Sequence, residues 1–245
     1  MQAIWNGILS TGRCEPLSLP GLAWPVEIKF HPRARSLRLR LDEARRLLTL
    51  TCPRRVSQRN ALDWAQRQSE WVESQIALIE PGEPFRPGAL IPFEGRIIAL
   101  RWNAALPRSP YFEGDTLQCG GAEAGFAARI ERFLRAQARE RLSHETELAA
   151  ARAEIIVRSV AVGDAVSRWG SCSASGAIRY SWRLILAPPH LLRWVVAHEV
   201  AHRRHMNHGP QFRALEAELF GGNVAAVRAE LRVLGPRLKR VGRPL

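Results

Sequence analysis

The sequence predicts an α+β protein, in which a β-rich N-terminal part with one long helix precedes a more helical C-terminal part. Before residue 120, apolar residues alternate with polar ones in several short runs, as they do in strands with one buried face. After Gly120-Gly121 the chain is rich in Ala, Arg, Glu and Leu, which favour helices. Strands and helices thus fall mostly in separate groups, which is typical of α+β proteins.

The predicted β-rich part covers residues 21–120 and follows a possible flexible arm at 1–20, where no period is sustained. Alternating runs separated by Pro32 and by a turn predict antiparallel strands at 26–30, 37–41 and 48–52. Ser57 is placed to cap a long helix over about 58–79. Short strands are expected at 90–93, 96–102 and 116–119.

The C-terminal part, residues 121–245, forms either a second domain or one folding unit with the first part. A helix is predicted over about 124–151, and Pro188-Pro189 marks the start of another, because proline suits the first helical turn. The elements expected around them are strands at 154–162 and 177–186, a Gly/Ser loop at 167–176, and helices at 210–220 and 224–234.

The net charge of +13 resembles that of nucleic-acid-binding proteins. Nearly all the basic residues are arginines, however, with Lys29 and Lys239 the two lysines, and they are scattered rather than packed into one stripe. A generally basic, solvated surface is therefore favoured, and nucleic-acid binding is kept as an alternative.

The chain is expected to lie in the cytoplasm and to have no membrane partner. No stretch reaches the roughly 18 apolar residues that a membrane span needs, and no basic region precedes an apolar run at the N-terminus. The cysteines, tens of residues apart and without a C-x-x-C pair, favour a reducing compartment: Cys14, Cys52, Cys119 and Cys172.

The motif that indicates a catalytic site is H-E-x-x-H at residues 198–202, inside a predicted helix. Four residues apart, His198 and His202 share one helix face and can reach one Zn²⁺ ion. Glu199 is rotated by roughly 100° from His198, so it is placed to act on a water beside the ion rather than as a ligand. The pattern predicts a zinc hydrolase with Glu199 as general base.

A catalytic zinc site needs a third protein ligand. His205 shares the face of the pair but lies about 10 Å along a straight helix from His198. His208 comes within reach if the chain turns at Asn207 or Gly209, which both tolerate the left-handed conformation. His208 is favoured on reach, and the alternatives are His205 and the carboxylates of the next helix, Glu216 and Glu218.

Other residues near the motif are weaker candidates. An arginine or tyrosine hydroxyl could stabilise the oxyanion that develops in hydrolysis, and three residues are placed for this role: Arg168, Tyr180 and Arg183. Structural roles are common for such residues in an arginine-rich chain, so the oxyanion stabiliser stays open. Cys172 is interpreted as an inert thiol near the site.

Four runs and one aromatic residue form a recognisable set: residues 168–173 (RWGSCS), 182–189 (WRLILAPP), 195–202 (VVAHEVAH) and 206–208 (MNH), with Phe212. Together they closely resemble the YgjP-like metallopeptidases, which are related to the SprT-like and WLM groups. The resemblance covers about 154–219 well and extends to the hairpins and long helix of the N-terminal half. Members commonly carry Asn where this chain has Ser181.

The resemblance implies a zincin-type fold, in which an active-site helix packs on a small sheet. It implies His198, His202 and His208 as the Zn²⁺ ligands, Glu199 as the catalytic base, and a peptide or protein as substrate. By analogy with zincins, an edge strand at 178–186 would align extended substrate by strand addition. The alternatives are a nucleic-acid-associated protein, a protease acting on DNA-bound protein, and a non-peptide zinc amidohydrolase. The oligomeric state is left open by the sequence.

Overall fold

The structure, a computed structural model, describes residues 15–43, 45–165 and 167–244. The chain divides into two compact units, Met1–Glu80 and Pro81–Leu245. The boundary expected at residue 120 lies inside the second unit, and as a statement about domains it stays a prediction. Of the arm expected at 1–20, residues 1–14 lie outside the described residues, whereas Leu17 forms an isolated antiparallel bridge with Val26.

The first unit contains the three strands that alternation predicts, joined in one sheet of order β1-β3-β2. They are β1 (Val26–His31), β2 (Arg38–Asp42) and β3 (Leu47–Pro53). The central strand β3 pairs antiparallel with β2 but parallel with β1. The prediction of antiparallel strands is therefore wrong for the β1–β3 pair, because β2 lies on the far side of β3 from β1 and the sheet is mixed. Alternation predicts which face is buried but not strand direction.

Two helices follow the sheet where one long helix is predicted, α1 (Gln58–Gln66) and α2 (Ser69–Ala77). The predicted cap is present, since the Ser57 hydroxyl accepts the Asn60 N–H at 3.2 Å. Between the helices the Gln68 N–H bonds to the Ala65 carbonyl. This bond spans three residues, as in a 3-10 turn, rather than the four residues of an α-helix. Residues 66–70 are all polar, so no apolar side chain packs there to hold the α-helical turn. The prediction of a single helix is wrong for this reason.

The core of the first unit lies between the sheet and the two helices. Its members are the apolar side chains of one sheet face and three from the helices: Val26, Ile28, Leu39, Leu48, Leu50, Cys52, Ala61, Ala65 and Val72. The opposite sheet face carries Glu27 and Lys29, and the Glu27 carboxylate pairs with Lys29 and with Arg45 of the turn before β3. The unit therefore has one buried and one polar sheet face.

The second unit begins with a four-stranded sheet of order β4-β5-β7-β6. Its strands are β4 (Leu90–Phe93), β5 (Arg96–Trp102), β6 (Tyr111–Glu113) and β7 (Thr116–Cys119). A three-stranded sheet follows, of order β8-β10-β9. It contains β8 (Ser159–Gly163), β9 (Gly170–Cys172) and β10 (Ala177–Ser181), and β10 is parallel to β8 and antiparallel to β9.

Four helices complete the second unit: α3 (Phe126–Arg152), α4 (Pro189–Ala201), α5 (Pro210–Phe220) and α6 (Val224–Arg240). Helix α4 contacts α3, α5, α6 and β9, and most of its side chains are buried. This helix, which contains the H-E-x-x-H motif, is thus surrounded by the unit's core, as expected for a helix with apolar residues on every face. The α+β architecture predicted from the sequence is confirmed.

Several element boundaries differ from their predictions: the strand expected at 154–162 is Ser159–Gly163, and the loop expected at 167–176 contains β9. The strand expected at 177–186 stops at Ser181, and Trp182–Leu186 is a 3-10 helix in which all five side chains are buried. A short apolar run does not distinguish a buried strand from a buried helical turn. Helix α6 continues through Gly235 and Pro236 to Arg240, beyond the expected end at 234, because the buried Leu238 packs into the core.

No helix in the part of the chain that the structure describes is both long enough and apolar enough to cross a membrane.

Candidate metal centre

The two histidines of the H-E-x-x-H motif lie at the C-terminal end of α4. Their ring centroids are 4.8 Å apart, as expected for side chains one turn apart on one helix face. The helix ends at Ala201, and His202 is its C-cap residue, with its N–H bonded to the His198 carbonyl. Both imidazoles are half-buried, so each has one side in the core and one side accessible.

The chain reverses direction after His202. The His205 N–H still bonds to the Ala201 carbonyl at 3.0 Å, and then the Gly209 N–H bonds to the Asn207 carbonyl at 2.8 Å before α5 begins at Pro210. The predicted turn is present, but its left-handed conformation is not: Gly209 has φ −75°. Hydrogen bonds rather than a positive φ therefore form the reversal.

The reversal brings His208 against the motif pair. His208 Nε2 lies 3.3 Å from His198 Nε2, and ligand nitrogens of His198, His202 and His208 all lie within 4.8 Å of one another. The Phe212 ring packs against all three imidazoles, with centroid distances of 5.1, 4.6 and 4.7 Å. The first turn of α5 thus supports the cluster from the side.

Hydrogen bonds fix which nitrogen of each motif histidine is free. His198 Nδ1 is 2.9 Å from Glu216 Oε1, and a carboxylate can only accept, so Nδ1 carries the proton. His202 Nδ1 donates to the His205 carbonyl at 3.2 Å. In both rings Nε2 is therefore left with a lone pair, the form that binds a metal ion.

One pair of nitrogens in the cluster has the spacing of two ligands on a tetrahedral metal ion. Two nitrogens that are each about 2.0–2.1 Å from an ion at the tetrahedral angle lie about 3.3–3.4 Å apart, and His198 Nε2 and His208 Nε2 are separated by 3.3 Å. Burial lowers the pKa of His202, and the charges of His198 and His208 act in the same direction. A low pKa keeps the imidazole neutral, as a ligand must be.

Glu199 lies beside the three histidines, but its carboxylate is not one of the clustered ligand atoms. Its side chain is buried, with 5% of the residue exposed, and it packs against Gly170 of β9. A Cβ on Gly170 would lie 2.6 Å from Glu199 Cγ, so only glycine permits this approach. Burial raises the pKa of Glu199 to about 7, although the charges of His198 and Arg168 oppose the rise.

The alternative third ligands lie elsewhere. The His205 imidazole is not part of the cluster, and this residue contributes its carbonyl to His202 instead. Glu216 is buried behind His198, where it also accepts the Trp194 indole N–H at 3.0 Å. Glu218, two residues further along α5, is exposed. On geometry, His208 is the residue that joins the pair.

The contacts of the three oxyanion candidates show that two are structural and that one lies near Glu199. The Tyr180 hydroxyl is buried against Thr146 at 3.0 Å, and burial raises its pKa. Arg183 donates to Asp164 at 2.8 Å and to the carbonyls of Leu238 and Val241. Both are therefore structural residues. Arg168 is exposed on the loop before β9, and its charge lowers the pKa of Glu199, so it remains near the reacting groups.

Two expectations about the surrounding residues have different outcomes. The edge strand expected at 178–186 is wrong, because β10 is the middle strand and pairs with β8 on one side and β9 on the other. The edge that contacts α4 is β9. Cys172, on β9, is half-buried and free, and burial raises the pKa of its thiol, which agrees with an inert thiol.

Sequence reasoning missed the partner of His198. Glu216 was considered as a ligand, whereas it is the hydrogen-bond acceptor that orients one. The signal available in the sequence is weak: an acidic residue on a helix whose neighbours Phe212, Leu215 and Leu219 are apolar. A carboxylate among buried positions indicates a buried cationic or N–H partner.

A helix with H-E-x-x-H and a third imidazole beside a buried glutamate is the arrangement found in metallopeptidases. The model of the family described as "YgjP-like, metallopeptidase domain" matches residues 35–232, which is most of the 245-residue chain. The chain therefore belongs to the YgjP-like family of metallopeptidases. This identifies it as a peptidase of the metal-dependent class.

The other comparisons are distant. A similar solved structure is the metallopeptidase zymogen of Pyrococcus abyssi abylysin, which is 18% identical in sequence with a TM-score of 0.35. The similarity covers 41% of this chain and 97% of that chain. No curated protein matches this chain.

Proposed function

We propose that the protein is a zinc-dependent peptidase that hydrolyses peptide bonds by direct attack of water, with Glu199 as general base. The observation that carries the proposal is the cluster of three imidazole nitrogens within 4.8 Å of one another, next to a buried glutamate. Its substrate is a peptide or protein chain, and its site of action is the cytoplasm.

His198, His202 and His208 would hold the ion. All three are nitrogen ligands, and Zn²⁺ favours such a set in catalytic sites, where a fourth position stays open. When bound there, the ion supplies a Lewis acid that polarises the substrate carbonyl and lowers the pKa of water to about 7. Glu216 would keep the His198 imidazole in the tautomer that binds, and the His205 carbonyl would do the same for His202.

Glu199 would carry the proton. It accepts one proton as the water oxygen attacks the carbonyl carbon, and it delivers that proton to the nitrogen as the C–N bond breaks. General acid–base catalysis is most effective when the pKa of the group lies near the working pH. The burial of the Glu199 carboxylate at the site, where Gly170 admits it, supports this role.

The test combines metal analysis with proteolysis of an unfolded protein substrate. The purified protein is expected to hold about one zinc per chain, and Glu199→Gln is expected to keep the zinc but lose hydrolysis. Glu147→Gln, an exposed position on α3, is the matched control and should retain both. Undiminished turnover in Glu199→Gln, or hydrolysis that survives complete removal of metal, would refute the proposal.

A further inference from the structure

Arg168 lies on the same side of the small sheet as Glu199. The Ser181 N–H donates to the Trp169 carbonyl at 2.8 Å, so the chain keeps its register with β10 one residue before Gly170. Successive side chains of a strand point to opposite faces, which places Arg168 on the face of Gly170 and Trp169 on the opposite face. Because Gly170 is the residue that contacts the Glu199 carboxylate, Arg168 faces the proposed reaction site.

The electrostatics of Glu199 agree with this placement. Burial raises the pKa of Glu199, and the charges of His198 and Arg168 oppose the rise, so the Arg168 guanidinium group lies near enough for its charge to act on the carboxylate. Arg168 is exposed, and it makes no hydrogen bond or ion pair with the residues that the structure describes. Its N–H donors are therefore free to bind a substrate group beside Glu199.

Two other donors near the site, Tyr180 and Arg203, are already used by the fold. Thr146 Oγ1 donates to the Leu142 carbonyl at 2.6 Å, so in its 3.0 Å contact with Tyr180 it accepts the single hydrogen of the tyrosine hydroxyl. Arg203 donates to two loop carbonyls, at 3.3 and 3.2 Å. Of these three donors, only Arg168 is free.

We propose that Arg168 is a catalytic residue that stabilises the oxyanion formed when water attacks the peptide carbonyl. The inference rests on the proposed peptidase function and adds a third role to that site. As the water oxygen bonds to the carbonyl carbon, the π electron pair of the C=O bond moves to the carbonyl oxygen, and Glu199 takes the proton that the water loses. Arg168 donates an N–H to this negatively charged oxygen. The electron pair returns as the C–N bond breaks and Glu199 passes the proton to the leaving nitrogen.

A contact with the oxyanion acts on the chemical step rather than on substrate binding. The carbonyl oxygen of the bound peptide is neutral, whereas the oxyanion is charged, and hydrogen bonds with an ionised partner are stronger than neutral ones. A group that binds the transition state more strongly than the substrate raises kcat with little effect on KM. Loss of one oxyanion donor typically lowers kcat by about 10²–10³-fold, and for the exposed Arg168 we expect the lower end of this range.

The kinetic test uses zinc-loaded protein and a fluorogenic peptide without charged side chains near the scissile bond. Arg168→Ala should lower kcat about a hundredfold, with KM and zinc content as in wild type, and Arg168→Lys, which keeps a charged donor, should lose less. Added guanidinium ion should restore part of the kcat of Arg168→Ala but none of that of Glu199→Gln. Arg232→Ala, which removes an exposed arginine of α6, is the matched control and should behave as wild type.

A binding measurement by calorimetry tests the same contact without turnover. A phosphinic peptide carries a charged tetrahedral group in place of the reacting carbonyl, and zinc-loaded Arg168→Ala should bind it about a hundredfold more weakly than wild type. An analogue with a CH₂–CH₂ link at that position has no such oxygen, so both proteins should bind it equally.

The outcomes separate this inference from the proposed function. Undiminished kcat in Arg168→Ala, with Glu199→Gln inactive, would overturn the role of Arg168 and leave the peptidase function intact. Equal affinity of wild type and Arg168→Ala for the phosphinic peptide would overturn that role too, as would a loss that lies in KM or follows loss of zinc. Absence of hydrolysis by wild type would refute the peptidase function as well.

Discussion

Glu216 Oε1 lies 2.9 Å from His198 Nδ1, so a buried carboxylate on α5 orients an imidazole on α4. Glu216 is 1% exposed and also accepts the Trp194 indole N–H. Burial by itself raises the pKa of Glu216, but its hydrogen bonds to His198 and Trp194 and the charges of His198 and Arg228 outweigh burial, and the pKa is lowered. The carboxylate is therefore ionised near neutral pH and acts as an acceptor for the His198 N–H.

Replacement of Glu216 by glutamine tests this contact through metal affinity. The amide keeps the shape of the side chain but removes its charge, and it can present an NH₂ group where His198 needs an acceptor. Losing such a partner of a metal-binding histidine typically weakens metal affinity by about 10–100-fold. We expect an effect of about tenfold, measured as the zinc Kd by competition with a chelator.

The matched control for Glu216→Gln is Glu218→Gln, an exposed position on the same helix. It should leave the zinc Kd unchanged, and the far-ultraviolet circular dichroism of both variants should match wild type. Equal zinc affinity in Glu216→Gln and wild type would show that the contact does not orient the ligand.

The choice between His208 and His205 is tested by a pair of alanine variants. His208→Ala should strongly reduce the zinc content of the purified protein, because it removes one of the three clustered nitrogens. His205→Ala should not, because this residue contacts the cluster through its backbone carbonyl, which the substitution keeps. Equal zinc retention in the two variants would contradict the proposed ligand set.

Gly170→Ala tests the close approach of β9 to Glu199. The added Cβ would lie 2.6 Å from Glu199 Cγ and 2.7 Å from its carboxyl carbon, so the carboxylate must move. Small displacements of a reacting group can cost about a hundredfold in rate. We expect kcat to fall about tenfold or more, with zinc content unchanged.

The specificity of that effect is checked by combining substitutions. In a Glu199→Gln background, Gly170→Ala should cause little further loss of whatever residual hydrolysis is measured, because two substitutions that act through the same group are not additive. If Gly170→Ala lowers the residual activity of Glu199→Gln by as large a factor as it lowers that of wild type, then its effect does not act through Glu199.

The sequence predicted those parts of the fold and site that depend on local spacing. The alternating strands, the Ser57 cap and the shared face of His198 and His202 all follow from the periods of strands and helices. The zinc and general-base roles rest on motif chemistry and stay proposals. The left-handed turn expected near Asn207 was wrong in its conformation, although the reversal itself is present.

The parts that the sequence did not predict depend on contacts between distant elements. Glu216 is 18 residues from His198 and meets it only because α5 packs on α4. The many arginines, interpreted as a general surface charge, include several that donate to backbone carbonyls: Arg129, Arg183, Arg203 and Arg204. Their partners lie up to 58 residues away in sequence, so no local pattern identifies them.

The ion pair of Arg183 with Asp164 should stabilise the second unit in a pH-dependent way. Arg183 is 2% exposed. Burial raises the pKa of Asp164, but the hydrogen bond from Arg183 and the charges of Arg183, Arg243 and Arg135 outweigh burial and lower it. A carboxyl group with a lowered pKa in the folded state contributes stability that is present above its unfolded pKa of about 3.9. That stability is lost as the pH falls through the folded-state pKa.

Asp164→Asn should therefore lower the free energy of unfolding at pH 7 by about 3 kcal/mol, because it leaves the Arg183 charge buried without its partner. The difference from wild type should shrink as the pH falls from about 3.9, where the unfolded wild-type chain begins to bind a proton at Asp164, through the lower folded-state pKa. Urea unfolding of both proteins at several pH values between 7 and 3 measures this difference in the free energy of unfolding. Asp115→Asn, in an exposed pair with Arg96, should cost less than about 1 kcal/mol. A cost for Asp164→Asn as small as that of Asp115→Asn would show that the pair does not stabilise the fold.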